Sequence, residues 1–163
     1  RYLGDGVMAI FLTQGETSTI SRVAVSTGLE ILRYVETSKI PVTIGVTIKS
    51  GEVVVGYVGN DERVEFTVLG DAVNVAHGMQ SYARPNKLLV GPEIVDFIKL
   101  NKNYHLRPLA PIRIKHREGL VEVYEVLKKG PIDSDTIPIS RMRSGTSELI
   151  RELPQPMDKD SLS

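Results

Sequence analysis

The sequence predicts an α+β fold in which helices pack over an antiparallel-rich sheet. Two observations carry that prediction. Short runs of β-branched and apolar residues alternate at a period of two, and between them longer stretches keep the 3.6-residue spacing of amphipathic helices. In chain order the pattern reads hairpin, helix, hairpin plus strand, helix, strand, helix, strand, strand. With 163 residues, 41% of them hydrophobic and 25% charged, the chain is long enough for one domain with its own core.

The first element is a hairpin in Arg1–Phe11, with Asp5-Gly6 as a two-residue turn signal between apolar runs. A polar loop, Thr13–Ser18, leads into a helix over Thr19–Glu36. Ala24, Gly28, Ile31 and Val35 form its apolar stripe, widened by Val25, Leu29 and Leu32. Pro41 marks entry into the next strand.

Val42–Val58 predicts a second hairpin. Val42, Ile44, Val46 and Ile48 share a face, and Gly51 in Lys49-Ser50-Gly51 supplies the unusual dihedral of the turn. After a polar connection at Gly59–Glu62, Val64–Leu69 forms a third strand. Gly70-Asp71 ends that strand and Asp71 is expected to cap the following helix. Ala72, Val75, Ala76, Met79 and Ala83 fall on its buried face, and Asn74 and Gly78 lie one turn apart on another.

Arg84-Pro85-Asn86 ends this helix, and Lys87–Val90 is a short buried strand. Pro92 opens a helix to about Leu100. Tyr104–Ile114 reads as extended and, with Pro108 and Pro111, as a sheet edge. Leu120–Leu127 is the last strand. Residues 1–128 are thus expected to form the domain. Residues 129–163, punctuated by Gly130, Pro131, Pro138, Pro154 and Pro156, read as a disordered tail or linker, with one short helix allowed at Ser147–Leu153.

Charge and composition exclude several function classes. Twenty acidic residues balance twenty basic ones, so no basic excess exists to bind nucleic acid. There is no cysteine, hence no disulfide scaffold and no thiol chemistry. No apolar run is long enough to span a bilayer and no signal peptide is visible. These features are read as a cytoplasmic location, alone or as the cytoplasmic part of a larger membrane or multidomain protein, with no membrane contact from this segment. His77, His105 and His116 do not have metal-ligand spacing, and neither a Gly-x-x-x-x-Gly-Lys phosphate loop nor a Gly-x-Ser-x-Gly elbow occurs.

The most specific stretches are Leu3-Gly4-Asp5-Gly6-Val7-Met8-Ala9, Gly51-Glu52-Val53-Val54-Val55-Gly56 and Gly70-Asp71-Ala72-Val73-Asn74-Val75-Ala76. In order and spacing they resemble the catalytic domain of class III adenylyl and guanylyl cyclases. Val121-Glu122-Val123-Tyr124-Glu125-Val126, after Lys115-His116-Arg117, resembles that family's closing segment. The resemblance covers Arg1 to about Leu127 and implies a ferredoxin-like, palm-type sheet. It also implies a homodimer with the active site at the interface, and conversion of ATP, or GTP, to a cyclic nucleotide and pyrophosphate with two Mg²⁺ or Mn²⁺ ions.

By the same resemblance, Asp5 is a metal ligand and Asn74 is the catalytic residue that orients the ribose. Thr67 and Arg1 stand at base-reading positions. Arg117 stands at the position of a triphosphate contact. From its hairpin alone Asp5 reads first as a turn residue, and the downstream motif is what turns the reading to a metal ligand; Arg117 is equally readable as a cation in a solvated turn. Three departures are visible. The family's opening strand, which carries a second metal-binding Asp, has no counterpart, so the domain is expected to be incomplete at its N-terminus. Gly78 stands where the family has an Arg one helical turn after the Asn, and Arg1 replaces a Lys. Two functions follow: an adenylyl cyclase acting by two-metal catalysis in signal transduction, or a degenerate cyclase-homology domain that dimerises or senses nucleotide without turnover.

Overall fold

The computed structural model describes residues 2–12, 17–60, 63–98, 104–115, 117–128 and 137–138. Its centre is a five-stranded sheet built of β3 (Val46–Ile48), β6 (Leu88–Val90), β10 (Tyr124–Lys128), β7 (Tyr104–Pro108) and β11 (Ile137–Pro138), in that spatial order. β3 and β6 are parallel, and the remaining pairings are antiparallel. Three two-stranded pieces stand apart from it: β1 (Tyr2–Leu3) with β2 (Gly6–Val7), β4 (Val54–Asn60) with β5 (Arg63–Leu69), and β8 (Ile112–Arg113) with β9 (Leu120–Val121).

The helices are α1 (Thr17–Thr37), α2 (Asp71–Met79), extended by a 3₁₀ turn at Gln80–Tyr82, and α3 (Pro92–Ile98). The sheet is buried on both faces, which is why β6 reads Leu88-Leu89-Val90 without a polar residue. On one face Leu88 and Val90 join Val25 and Leu29 of α1, Ile94 and Ile98 of α3, and Leu106, Tyr124 and Val126. On the other, Leu89 joins Val75 and Met79 of α2 with Ile112, Ile114, Val121 and Val123. The α+β, antiparallel-rich, palm-type expectation is therefore met.

Several local expectations are corrected. No hairpin forms across Lys49-Ser50-Gly51. β3 enters the central sheet beside β6, while β4 turns away and pairs with β5, Val54 opposite Leu69 and Gly56 opposite Thr67. The diversion has a visible cause. Glu93, in the first turn of α3, accepts from Lys49 Nζ at 2.5 Å and from the Ser50 amide at 3.0 Å, which ties the end of β3 to α3. Gly51 has no positive φ; a Cβ there would lie 3.0 Å from the Ala72 Cβ, so what it provides is close approach to α2.

The first turn is centred on Gly4-Asp5, with Leu3 paired to Gly6, and Gly4 takes φ +61°. Asp71 does not cap α2. Gly70 holds the cap position without a side-chain bond, and Asp71 is the first helical residue. β7 is not a sheet edge among the described strands, since β10 and β11 flank it; Pro108 is tolerated because it ends the strand. The closing strand is split into β9 and β10. Beyond residue 128, only Ile137 and Pro138 are described, opposite Leu106 and His105; the helix allowed at Ser147–Leu153 lies outside the described residues.

Tyr124 shows how the sheet responds to pH. Burial pushes its phenol up to about 12, helped by the charge of Glu122, by the hydrogen bond it donates to Glu122 Oε2 at 3.3 Å, and by Asp96. The raised value means that the folded state favours the neutral phenol. Its contribution is present below pH ~10 and is lost as pH rises towards 12. Urea unfolding at pH 9 and 11.5 is expected to show a loss of about 2 kcal/mol in the wild type that is absent in Tyr124→Phe. Parallel losses in both proteins would refute this origin.

Candidate active site

The site is built along one stripe of α2. Asp71, Asn74, Gly78 and Tyr82 follow one another at helical spacing, beside the face that buries Val75 and Met79. The segment from β8 into the turn before β9 runs along this stripe in the reverse direction. Tyr82 Oη donates to the Arg113 carbonyl at 3.1 Å. A Cβ placed on Gly78 would lie 2.5 Å from Ile114 Cγ2, so Ile114 occupies the room a larger side chain would need. Arg117 Nη1 pairs with Asp71 Oδ1. Within the turn, the Arg117 amide donates to the Ile114 carbonyl at 3.1 Å and Gly119 takes φ +81°.

Asn74 is exposed and lies on the stripe between the two positions that Ile114 and Arg117 touch. The strand that feeds α2, β5, carries Thr67 three residues before Gly70. Alternation puts Thr67 on the face of exposed Leu69, opposite buried Val68. The fold thus brings Asn74 and Arg117 to the N-terminal half of α2, with Thr67 on the adjoining strand.

Asp5 is held elsewhere. Its carboxylate accepts from Arg84 Nη2 at 3.1 Å, beyond the far end of α2 and its 3₁₀ turn. Helix and turn together span on the order of 20 Å along the axis. One copy therefore does not unite Asp5 with Asn74 and Arg117. The Asp5 side chain is 86% exposed, and among the described residues no group of three or more His, Asp or Glu converges. Asp5 offers a single carboxylate, with Oδ2 paired to Arg84, and the described residues of a single copy do not complete a site for two metals. Arg1 lies outside the described residues.

The sequence alone does not reveal Asp71 as the partner of Arg117, nor Tyr82 and Ile114 as parts of the same assembly. The spacing of Asp71, Asn74, Gly78 and Tyr82 on one stripe was the available signal. Its partner segment could be found only from tertiary packing.

The motif segments at Asp5, at Gly70–Ala76 and at Lys115–Val126 all fall within residues 1–128, which match the adenylate and guanylate cyclase catalytic domain family. The chain belongs to that family. Among individual cyclases, it is 28% identical over 137 residues to an adenylate cyclase of Anabaena cylindrica, covering 77% of this chain and 27% of that protein. It is 26% identical over 136 residues to the terminal-differentiation specific adenylate cyclase of Dictyostelium discoideum, covering 78% of this chain and 6% of that protein. The chain thus spans only a minor part of the length of these relatives.

In fold, this cyclase domain is similar to the adenylyl cyclase CyaB from P. aeruginosa, with TM-score 0.61 and 24% identity over 73% of this chain and 64% of that one. It is also similar to the guanylyl cyclase Cya2, with TM-score 0.60 and 22% identity over 80% of this chain and 70% of that one. No helix among the described residues is long and apolar enough to cross a membrane.

Proposed function

We propose that this cyclase domain converts ATP to cyclic AMP and pyrophosphate, as a homodimer whose sites lie between the two copies. The observation that supports this reading best is the pairing of Arg117 with Asp71, one helical turn from Asn74 at one end of α2, with Thr67 on the strand feeding it. The separation of Asp5 from that group supports a site shared by two copies. Asp5 of one copy would then face Asn74, Thr67 and Arg117 of the other.

In the reaction the ribose 3′ oxygen bonds to the α-phosphorus, the bond from that phosphorus to the pyrophosphate oxygen breaks, and the 3′ proton passes to solvent. Asn74 holds the ribose so that the oxygen is aligned for attack. Arg117 balances charge on the triphosphate, and it grows on the leaving pyrophosphate. Thr67 reads the base by a hydroxyl hydrogen bond, with Arg1 as its partner in that role. Bound Mg²⁺ or Mn²⁺, two ions in this reading, supplies Lewis acidity and charge neutralisation, and Asp5 is the residue of this chain that would hold it.

The test is to incubate the full-length protein with Mn²⁺ and either ATP or GTP and to separate the products. Cyclic AMP and pyrophosphate from ATP are expected. Cyclic GMP alone would overturn the base assignment to Thr67 and Arg1. One observation favours a second reading, a domain that binds nucleotide without turnover: Ile114 closes the position of Gly78, where the resemblance implies an Arg. Nucleotide binding without either cyclic product would select it.

A further result is expected at Asp5. Asp5→Ala should abolish the Mn²⁺-dependent part of ATP binding measured by calorimetry. The melting temperature should barely move, since an exposed ion pair such as Asp5–Arg84 contributes about 0–1 kcal/mol. Unchanged metal-dependent binding would leave Asp5 as a turn residue only.

A further inference from the structure

We propose that Asp71 is a positioning residue: it holds the Arg117 guanidinium beside Asn74 in the orientation that receives the triphosphate. This rests on the reading of Arg117 as a triphosphate contact. Arg117 stands in a turn whose backbone is set at two other points. Tyr82 holds the Arg113 carbonyl, and Ile114 is seated on Gly78. Those two contacts fix where the turn lies along α2, but neither fixes the long Arg117 side chain, which is 40% exposed. A half-exposed Arg loses much rotamer freedom when it is ordered by a ligand.

Asp71 removes much of that freedom in advance. Its carboxylate takes Nη1 of Arg117, and the planar guanidinium has further donors on Nη2 and Nε with which to meet a phosphate. The carboxylate is placed for this role and not for helix capping. Asp71 is the first helical residue, Gly70 occupies the cap, and the side-chain contact of Asp71 runs to Arg117 across 46 positions of sequence. Asp71 and Asn74 sit one turn apart on one stripe, so an Arg anchored on Asp71 is brought next to Asn74. Asp71 itself touches no substrate in this scheme; it acts through Arg117.

The experiment compares Asp71→Asn, Asp71→Glu, Arg117→Ala and the double variant Asp71→Asn with Arg117→Ala in the full-length protein. Equilibrium binding of ATP and of inorganic tripolyphosphate is measured for each, together with KM and kcat. Asp71→Asn is expected to weaken binding of both probes and to raise KM about three- to ten-fold, with kcat changed less than about two-fold. Asp71→Glu recovers most of the loss. The double variant is no worse than Arg117→Ala alone, because the two residues act as one unit.

If Asp71→Asn leaves both affinities unchanged, or tightens them, the proposal is overturned and the pair is an incidental or competing contact. That outcome leaves the role of Arg117 standing, provided Arg117→Ala still weakens binding. If Arg117→Ala has no effect on either probe, the role of Arg117 and the proposal fall together. A loss in Asp71→Asn that Asp71→Glu does not recover, with lowered thermal stability in both, also overturns it, since that is the signature of a damaged helix start.

Discussion

Asn74→Ala is expected to lower cyclic nucleotide formation about a hundred-fold or more while the folded domain stays intact. The two halves of that result have separate causes. Asn74 is exposed on α2 while its neighbour Val75 is buried in the core, so removing the amide leaves no cavity. Ala is also the better helix former, by roughly 0.5 kcal/mol, so stability should hold or rise slightly. The rate loss comes from orientation. An intramolecular attack on phosphorus requires the 3′ oxygen in line with the leaving group, and a positioned amide supplies that only through its geometry. A product assay by chromatography, run beside a thermal melt, separates the two. Turnover within about three-fold of wild type would remove Asn74 from the mechanism. A melting temperature several degrees lower would mean that Asn74 is structural instead.

Much of the fold was legible because the helices and buried strands carry strong patterns. The N-terminal part of the α1 stripe (Ala24, Val25, Gly28 and Leu29), the apolar run Leu88–Val90 and the strand Val64–Leu69 appear close to where periodicity puts them, whereas Ile31, expected on the same stripe, is exposed. Pairing was less legible. The alternating runs on either side of Lys49-Ser50-Gly51 look like a hairpin locally, but Glu93, 43 residues beyond Ser50, holds the connection and sends β3 into the central sheet. No local rule contains that contact. The same limit governs the site. The motif Gly70–Ala76 singles out Asn74 as a candidate, whereas Asp71 looks like a cap until Arg117 is placed opposite it. Asp5 shows the complementary case: its turn is readable, but its distance from Asn74 depends on the far end of α2 and on Arg84.

Gly78 decides between the two functional readings, and its largest effect should come from the substitution that looks most like a repair. Gly78→Arg puts back the cation that the family resemblance implies, yet it is expected to damage this domain. The new Cβ would meet Ile114 Cγ2 at 2.5 Å, with Cγ1 and Cδ1 at 3.1 and 3.2 Å. Ile114 is branched at Cβ, 6% exposed and packed in the cluster of Val75, Met79 and Val123, so its methyl cannot swing aside. Overpacking of this kind costs about 1–3 kcal/mol, set against a gain of about 1 kcal/mol for replacing Gly in a helix. With the overlap so close, the net is expected to be a loss of about 2 kcal/mol, read as a lower midpoint in urea. The displaced Ile114 also shifts the turn that carries Arg117, so affinity for ATP should fall together with stability. Joining Gly78→Arg to Ile114→Ala tests the cause, because that pair makes room for the side chain. If the double variant recovers ATP affinity and exceeds the wild-type turnover, the missing cation limits the chemistry and the domain is an enzyme held back by its own packing. If affinity returns without product, nucleotide binding is the function that remains. Wild-type stability in Gly78→Arg alone would refute the packing argument and with it the account of why glycine stands there.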